Sequence, residues 1–143
     1  MYKKITANII VNNVNESLDF YEKILDFSLV MAVPEGSHQV ITVRDAVTPL
    51  GFAIIRRDGV ELMLQSRKSL ADELPSLAAT PVGTSFTLYI QVDDIEALYR
   101  AIKEKAVFIE ELHTTFYGAR EFCIRDSGGN VLTFASSQQE IVA

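Results

Sequence analysis

The chain has 143 residues, 48% hydrophobic and 22% charged, with 19 acidic and 13 basic side chains and a net charge of −6. That length fits one domain or two small halves, and the composition excludes disordered, collagenous and low-complexity classes. The acidic balance, with no basic spot denser than Lys3-Lys4 or Arg56-Arg57, excludes a nucleic-acid partner, and the single cysteine, Cys123, excludes an internal disulfide.

The N-terminus, Met1-Tyr2-Lys3-Lys4-Ile5, has basic residues but no long apolar core behind them, so it reads as the start of a strand. No apolar run approaches the ~18 residues needed to cross a bilayer. A cytoplasmic protein with no membrane partner is the expectation. Ile5–Val11 alternates and is β-branched, which predicts a strand. Asn13 with Glu16 three residues on predicts a capped helix, whose buried face carries Leu18, Tyr21 and Leu25. Short strand-like runs follow at Phe27–Val33, Gln39–Val43, Gly51–Arg56 and Val60–Gln65, with Asp58-Gly59 as a turn.

Residues 66–83, with Pro75, Pro81 and Gly83, read as a linker in which Ser69–Leu77 forms a short helix. The first plan then starts again. TLYIQVDDI at 87–95 repeats TANIIVNNV at 6–14 at one constant offset, pairing Thr6 with Thr87, Ile9 with Ile90 and Val11 with Val92. Phe86–Val92 predicts a strand, Asp94 a helix cap, and Ile95, Leu98, Tyr99, Ile102 and Ala106 one apolar helical stripe. Strand-like runs follow at Val107–Glu111, Thr114–Tyr117, Arg120–Arg125 and Asn130–Ala135, the last two joined by the turn Asp126-Ser127-Gly128-Gly129. The organisation is βαβββ twice: module 1 about 1–66, a linker about 67–83 and module 2 about 84–138.

This order, with the strings Ser17–Leu25, Gly59–Gln65, Val92–Ile95, Tyr117–Phe122 and Arg125–Asn130, resembles the vicinal oxygen chelate superfamily of glyoxalases, bleomycin-resistance proteins and extradiol dioxygenases. The resemblance implies an α+β fold in which two βαβββ modules form one cup-shaped curled sheet, and it implies a homodimer. It further implies a divalent metal held by four inward side chains, two from each module. The matching positions here are Thr6, Glu61, Thr87 and Thr133. Three neutral hydroxyls and one carboxylate are a poor donor set for Zn²⁺, Ni²⁺, Mn²⁺ or Fe²⁺, and neither His38 nor His113 maps to a ligand position. No metal and no cofactor are expected. Asp26 and Ala106 stand where the family often has glycine, and the second helix is expected to end differently.

Strand alternation gives the inward faces. Thr6, Asn8 and Ile10 share one face, with Ile5, Ala7, Ile9 and Val11 behind them. Thr87, Tyr89 and Gln91 share another, as do Glu61, Met63 and Gln65, and Thr133 and Ala135. These faces read either as a small-molecule pocket or as polar sheet surface turned to water. Glu61 reads as a base with a raised pKa, as an acceptor for a cationic ligand, or as the partner of a nearby Arg or Lys. Tyr117, Arg120 and Glu121 sit by the hairpin that the resemblance places at the rim, Arg120 either binding an anionic ligand group or forming an ion pair. Cys123 reads as a buried small hydrophobe.

The expected ligand-binding residues are therefore Thr6, Asn8, Glu61, Met63, Thr87, Tyr89, Tyr117, Arg120 and Thr133, and Glu61 is the one candidate for catalysis. The expected function is metal-free binding of a small molecule, such as sequestration of an antibiotic or metabolite. The alternative is a lyase or isomerase that uses Glu61 as base or holds a metal through atypical ligands.

Overall fold

In the computed structural model, which describes residues 1–79, 81–83 and 86–136, the chain divides into two compact units, Met1–Val82 and Gly83–Ala143. The expected end of module 2 near residue 138 lies outside the described residues.

In the first unit the alternating run becomes β1 (Ala7–Val11), and Asn13 accepts a hydrogen bond from the Glu16 amide at 3.0 Å to start α1 (Val14–Lys23). The helix buries Val14, Leu18 and Tyr21. It is followed by Asp26 at φ 61°, a left-handed residue that turns the chain into β2 (Ser28–Pro34). The β3 (Leu50–Arg57) and β4 (Val60–Ser66) strands form a hairpin around Asp58-Gly59, with Asp58 also at positive φ. The sheet order is β1-β4-β3-β2, with β1 parallel to β4 and the other pairs antiparallel. After β4 come α2 (Arg67–Glu73) and a 3-10 turn at Pro75–Leu77, where the sequence predicts one short helix.

Two sequence expectations fail in this unit. Ile5 does not pack under the helix; the strand begins at Ala7, and Ile5 lies in solvent. Gln39–Val43 is not a strand. Only Ile41 bridges Ala32, while Val40 and Val43 are exposed, so the run gains too little burial to extend its pairing.

The second unit repeats the plan: β5 (Thr87–Val92), α3 (Ile95–Ile102), β6 (Val107–Thr114), β7 (Arg120–Arg125) and β8 (Val131–Ser136), in sheet order β5-β8-β7-β6. Asp94 caps α3 by accepting from the Ala97 amide at 3.0 Å. The helix ends as its sequence predicts, without a left-handed residue: the Lys105 and Ala106 amides both donate to the Ile102 carbonyl. Thr114–Tyr117 is not a separate strand. The β6 strand runs on to Thr114 through two register shifts, and Thr115–Gly118 turns back, Gly118 adopting φ 89°. The β7–β8 turn is held by Asp126, whose Oδ1 accepts from the Gly128 and Asn130 amides at 2.9 and 2.8 Å.

Each unit is thus a βαβββ module with a four-stranded mixed sheet, and the fold class is α+β. In the first, Ile9, Leu64, Ala53 and Ile55 point to the buried face; in the second, Phe122, Ile124, Leu132 and Phe134 do. Among the described residues no helix is long and apolar enough to cross a membrane.

Candidate functional site

With one face of each sheet committed to its core, the alternate side chains project from the other. On the first sheet the register sets Asn8 beside Met63, Ile54 beside Met63, Phe52 beside Gln65 and Arg56 beside Glu61. Asn8 Nδ2 donates to Gln65 Oε1 at 2.8 Å, and Gln65 Nε2 donates to Ser69 Oγ at 3.1 Å and Glu73 Oε2 at 3.4 Å. Gln65 is buried, so this chain of amides holds a polar line across an otherwise apolar surface of Phe52, Ile54 and Met63. Thr6 is half-buried immediately before β1.

Glu61 is closed off. Lys4 Nζ lies 2.8 Å from Oε1, and the Arg56 guanidinium reaches Oε2 at 2.6 and 3.2 Å. Its pKa is lowered, first by the hydrogen bond from Lys4 and then by that from Arg56. The raised value expected from an apolar recess is corrected by these two cations, which the strand alternation alone does not bring together. A cleft of about 580 Å³ opens beside Asp26, Ser28, Leu29 and Arg57, with Arg56 on its wall. None of the residues expected to bind a ligand lines it.

On the second sheet Tyr89 and Thr133 are register partners, and Thr133 is also opposite Cys123. The Thr133 hydroxyl donates to Cys123 Sγ at 3.6 Å, and Cys123 is buried. Thr87 is exposed opposite Val131. Tyr89 donates its hydroxyl to Glu121 Oε2 at 2.6 Å, and Tyr117 donates to the same oxygen. Glu121 is 7% exposed, whereas the two tyrosines are 48% and 41% exposed. Burial first, then the Glu121 hydrogen bond, push the Tyr89 phenol above its ordinary pKa of 10; for Tyr117 the Glu121 hydrogen bond is the leading cause. Both phenols therefore stay protonated donors throughout the physiological range.

Arg120 does not join this group. It alternates with Glu121, and its guanidinium reaches Glu96 Oε1 on α3 at 3.0 and 3.1 Å and Thr114 Oγ1 at 3.3 Å. Of the phenylalanines near this group, Phe122 is core and Phe116 lies in solvent, edge-on to Tyr117. His38 is exposed, and His113 Nδ1 lies 2.8 Å from the Glu111 carbonyl. The sequence places Glu121 at the rim hairpin with Tyr117 and Arg120 but does not carry it into the expected ligand-binding set, and the Gln65–Ser69–Glu73 chain is not legible in it. The signal for Glu121 was present in the parity of β7: once Phe122 and Ile124 face the core, Glu121 and Cys123 face away.

The four positions at which the resemblance implies a metal do not fit one. Both Glu61 oxygens already accept from cations, and the Thr133 hydroxyl is directed at a thiol. The register is also unequal: Thr6 precedes Ala7, the partner of Leu62, and so stands level with Glu61, whereas Thr87 is level with Val131 and Thr133 stands two residues further along. Among the described residues no cluster of three or more His, Cys, Asp or Glu is gathered as a divalent ion requires.

A family model described as the Glyoxalase/Bleomycin resistance protein/Dioxygenase superfamily matches residues 5–134. Among solved structures, the chain is similar to a member of that superfamily from Sphaerobacter thermophilus DSM 20745, with a TM-score of 0.70 at 18% identity over 96% of this chain and 98% of that one. It is similar to a protein of unknown function from Agrobacterium tumefaciens str. C58, with a TM-score of 0.70 at 16% identity over 96% and 95%. TioX from Micromonospora sp. ML1 gives a TM-score of 0.67 at 14% identity over 94% and 98%. At such identities these likenesses speak for the fold alone. No curated protein matches the chain.

Proposed function

The chain belongs to the Glyoxalase/Bleomycin resistance protein/Dioxygenase superfamily, and on that premise we propose that it is a member that binds a small organic molecule without a metal. The observation that carries this reading is the state of Glu61. The one carboxylate at a family metal position is neutralised by Lys4 and Arg56, and the other three positions offer hydroxyls. Support for binding comes from the open faces of the sheets, where polar groups converge among apolar ones. Asn8, Met63 and Gln65 do so in module 1, and Tyr89, Tyr117 and Thr133 in module 2. Thr6 and Thr87 complete the ligand-facing set. Arg120 is engaged by Glu96 and contributes to the rim through that pair.

The lyase or isomerase alternative asks Glu61 to take up a proton. A carboxylate whose two oxygens both face cations and whose pKa is lowered is a weak base, which argues against that chemistry. Sequestration of an antibiotic or metabolite, by a cytoplasmic homodimer, is the role this reading favours.

The test has two arms. Untagged protein is assayed for bound first-row metals by mass spectrometry, and a thermal-shift panel covers metals, glycopeptide antibiotics and small metabolites. A true ligand at 100 times its Kd adds about 2.7 kcal/mol of stability. Sub-stoichiometric metal and at least one organic binder are expected. Stoichiometric metal that disappears in Glu61→Ala overturns the metal-free reading, and a panel with no organic binder overturns the binding reading.

A further inference from the structure

We propose that Glu121, framed by Tyr89 and Tyr117, is the recognition carboxylate for a protonated amine on the ligand. The proposal deepens the small-molecule reading given above and rests on it.

Three observations converge on this group. First, Glu121 is buried but has no counter-charge. No described cation lies within ion-pair distance of it. The nearby basic side chains are engaged elsewhere: Arg120 with Glu96, Arg125 with the Gly129 carbonyl, and His113, opposite Glu121 on β6, beside the Glu111 carbonyl. Second, both phenols donate to the same oxygen, Oε2, and among the described residues none donates to Oε1. No buried side-chain oxygen among the described residues lacks a partner, so Oε1 keeps contact with solvent. Third, the rings that supply the two hydroxyls are themselves about half exposed.

Hydrogen bonds from neutral phenols stabilise an ionised carboxylate without cancelling its charge. The field at Oε1 therefore remains that of an anion, now held in a fixed direction by two donors. An ammonium group supplies what is missing, namely N–H donors for Oε1 and the counter-charge. The exposed aromatic surface of Tyr89 and Tyr117 adds attraction for the same cation. An anionic ligand is repelled, and a neutral alcohol satisfies the lone pair but leaves the charge. Module 1 provides the contrast within the same chain: its outward carboxylate, Glu61, already holds two cations.

The test compares two probes of matched shape, benzylamine and benzyl alcohol, on the full chain at constant physiological ionic strength. Binding is followed by amide chemical shifts. Benzylamine is expected to bind about tenfold more tightly than benzyl alcohol, with the largest shifts at Tyr89, Tyr117 and Glu121. In Glu121→Gln, which keeps the shape and the acceptor for the phenols, that preference falls to about one. General attraction to an acidic protein survives this substitution, so the variant separates the two causes. Equal affinities in the wild type, an amine preference that persists in Glu121→Gln, or shifts confined to other residues each overturn the proposal. The wild-type comparison needs no variant to fold. Where the ligand panel yields a binder with no amine preference, the amine proposal falls and the small-molecule reading stands; where neither panel nor probes bind, both fall.

Discussion

The β7 strand carries the strongest test of how the second module is built, because neighbouring residues on it have opposite tasks. Phe122 is fully buried and its ring lies 5.2 to 5.6 Å from those of Phe134, Phe108 and Tyr99. Truncating it in Phe122→Ala removes a whole ring from a packed aromatic cluster. Buried Phe→Ala changes cost about 3–5 kcal/mol, and aromatic pairs add about 0.5–1.5 kcal/mol beyond area, so the upper half of that range applies. Measured against a typical total of about 5–15 kcal/mol, this is a large share of the stability. It corresponds to a fall of about 10–15 °C in thermal midpoint for a chain of this size. Phe122→Leu, which keeps most of the volume, should cost about 1–2 kcal/mol. Gln91→Ala, on the solvent-facing side of β5, should change stability by less than about 0.5 kcal/mol. Urea unfolding followed by circular dichroism measures all three. A cost below about 1 kcal/mol for Phe122→Ala, or an equal cost for Gln91→Ala, refutes the assignment of faces on which the Glu121 argument depends.

Two further outcomes follow from local chemistry. The folded-state pKa of Glu61 lies below its ordinary value of 4.5, so its ion pairs contribute stability that is fully present above that value and is lost as pH falls through the folded pKa. Thermal midpoints taken from neutral pH down to about 3 should therefore fall less steeply in Glu61→Gln than in the wild type, and superimposable curves contradict the pairing. At Asp26, held at φ 61°, Asp26→Gly should be neutral or stabilising by up to about 1 kcal/mol, while Asp26→Val should cost about 1–2 kcal/mol. Equal stabilities for the two variants count against a left-handed residue there.

Local periodicity and capping were readable because they act over a few residues. Asn13 and Asp94 cap the helices that their positions predict, and Arg120–Arg125 is a strand over its whole expected length. The same local signals failed where a run has the right alphabet but nothing to pair with. Gln39–Val43 is as β-branched as β1, yet its valines stay in water because only Ile41 finds a partner. Thr114–Tyr117 was misread for the opposite reason. Pairing with β7 carries β6 past the expected break to Thr114, and the turn occupies Thr115–Gly118, where Gly118 can take positive φ.

The chemistry of the two outward carboxylates was less legible, since it depends on what lies across the sheet and not along the chain. Glu61, on an inward face shared with Met63, reads equally as a base with a raised pKa, a ligand acceptor or the partner of a nearby Arg or Lys; its spatial neighbours are Lys4, far away in sequence, and Arg56, its register partner. Glu121 has Arg120 beside it in sequence, but strand alternation sends that arginine to Glu96 on α3 and leaves the carboxylate with two phenols. In each case the partner lies across the sheet and not along the strand, because consecutive β residues point to opposite faces. The repeat between modules hides the difference as well. Asn8 and Tyr89 occupy equivalent positions in the first strands, but an amide donates to the neighbouring Gln65, whereas a phenol is long enough to reach Glu121 beyond the adjacent strand. That one change of reach carries hydrogen-bond donation from the second strand of the sheet to the third, which is why the polar centre of module 2 lies on β7 while that of module 1 stays on β4.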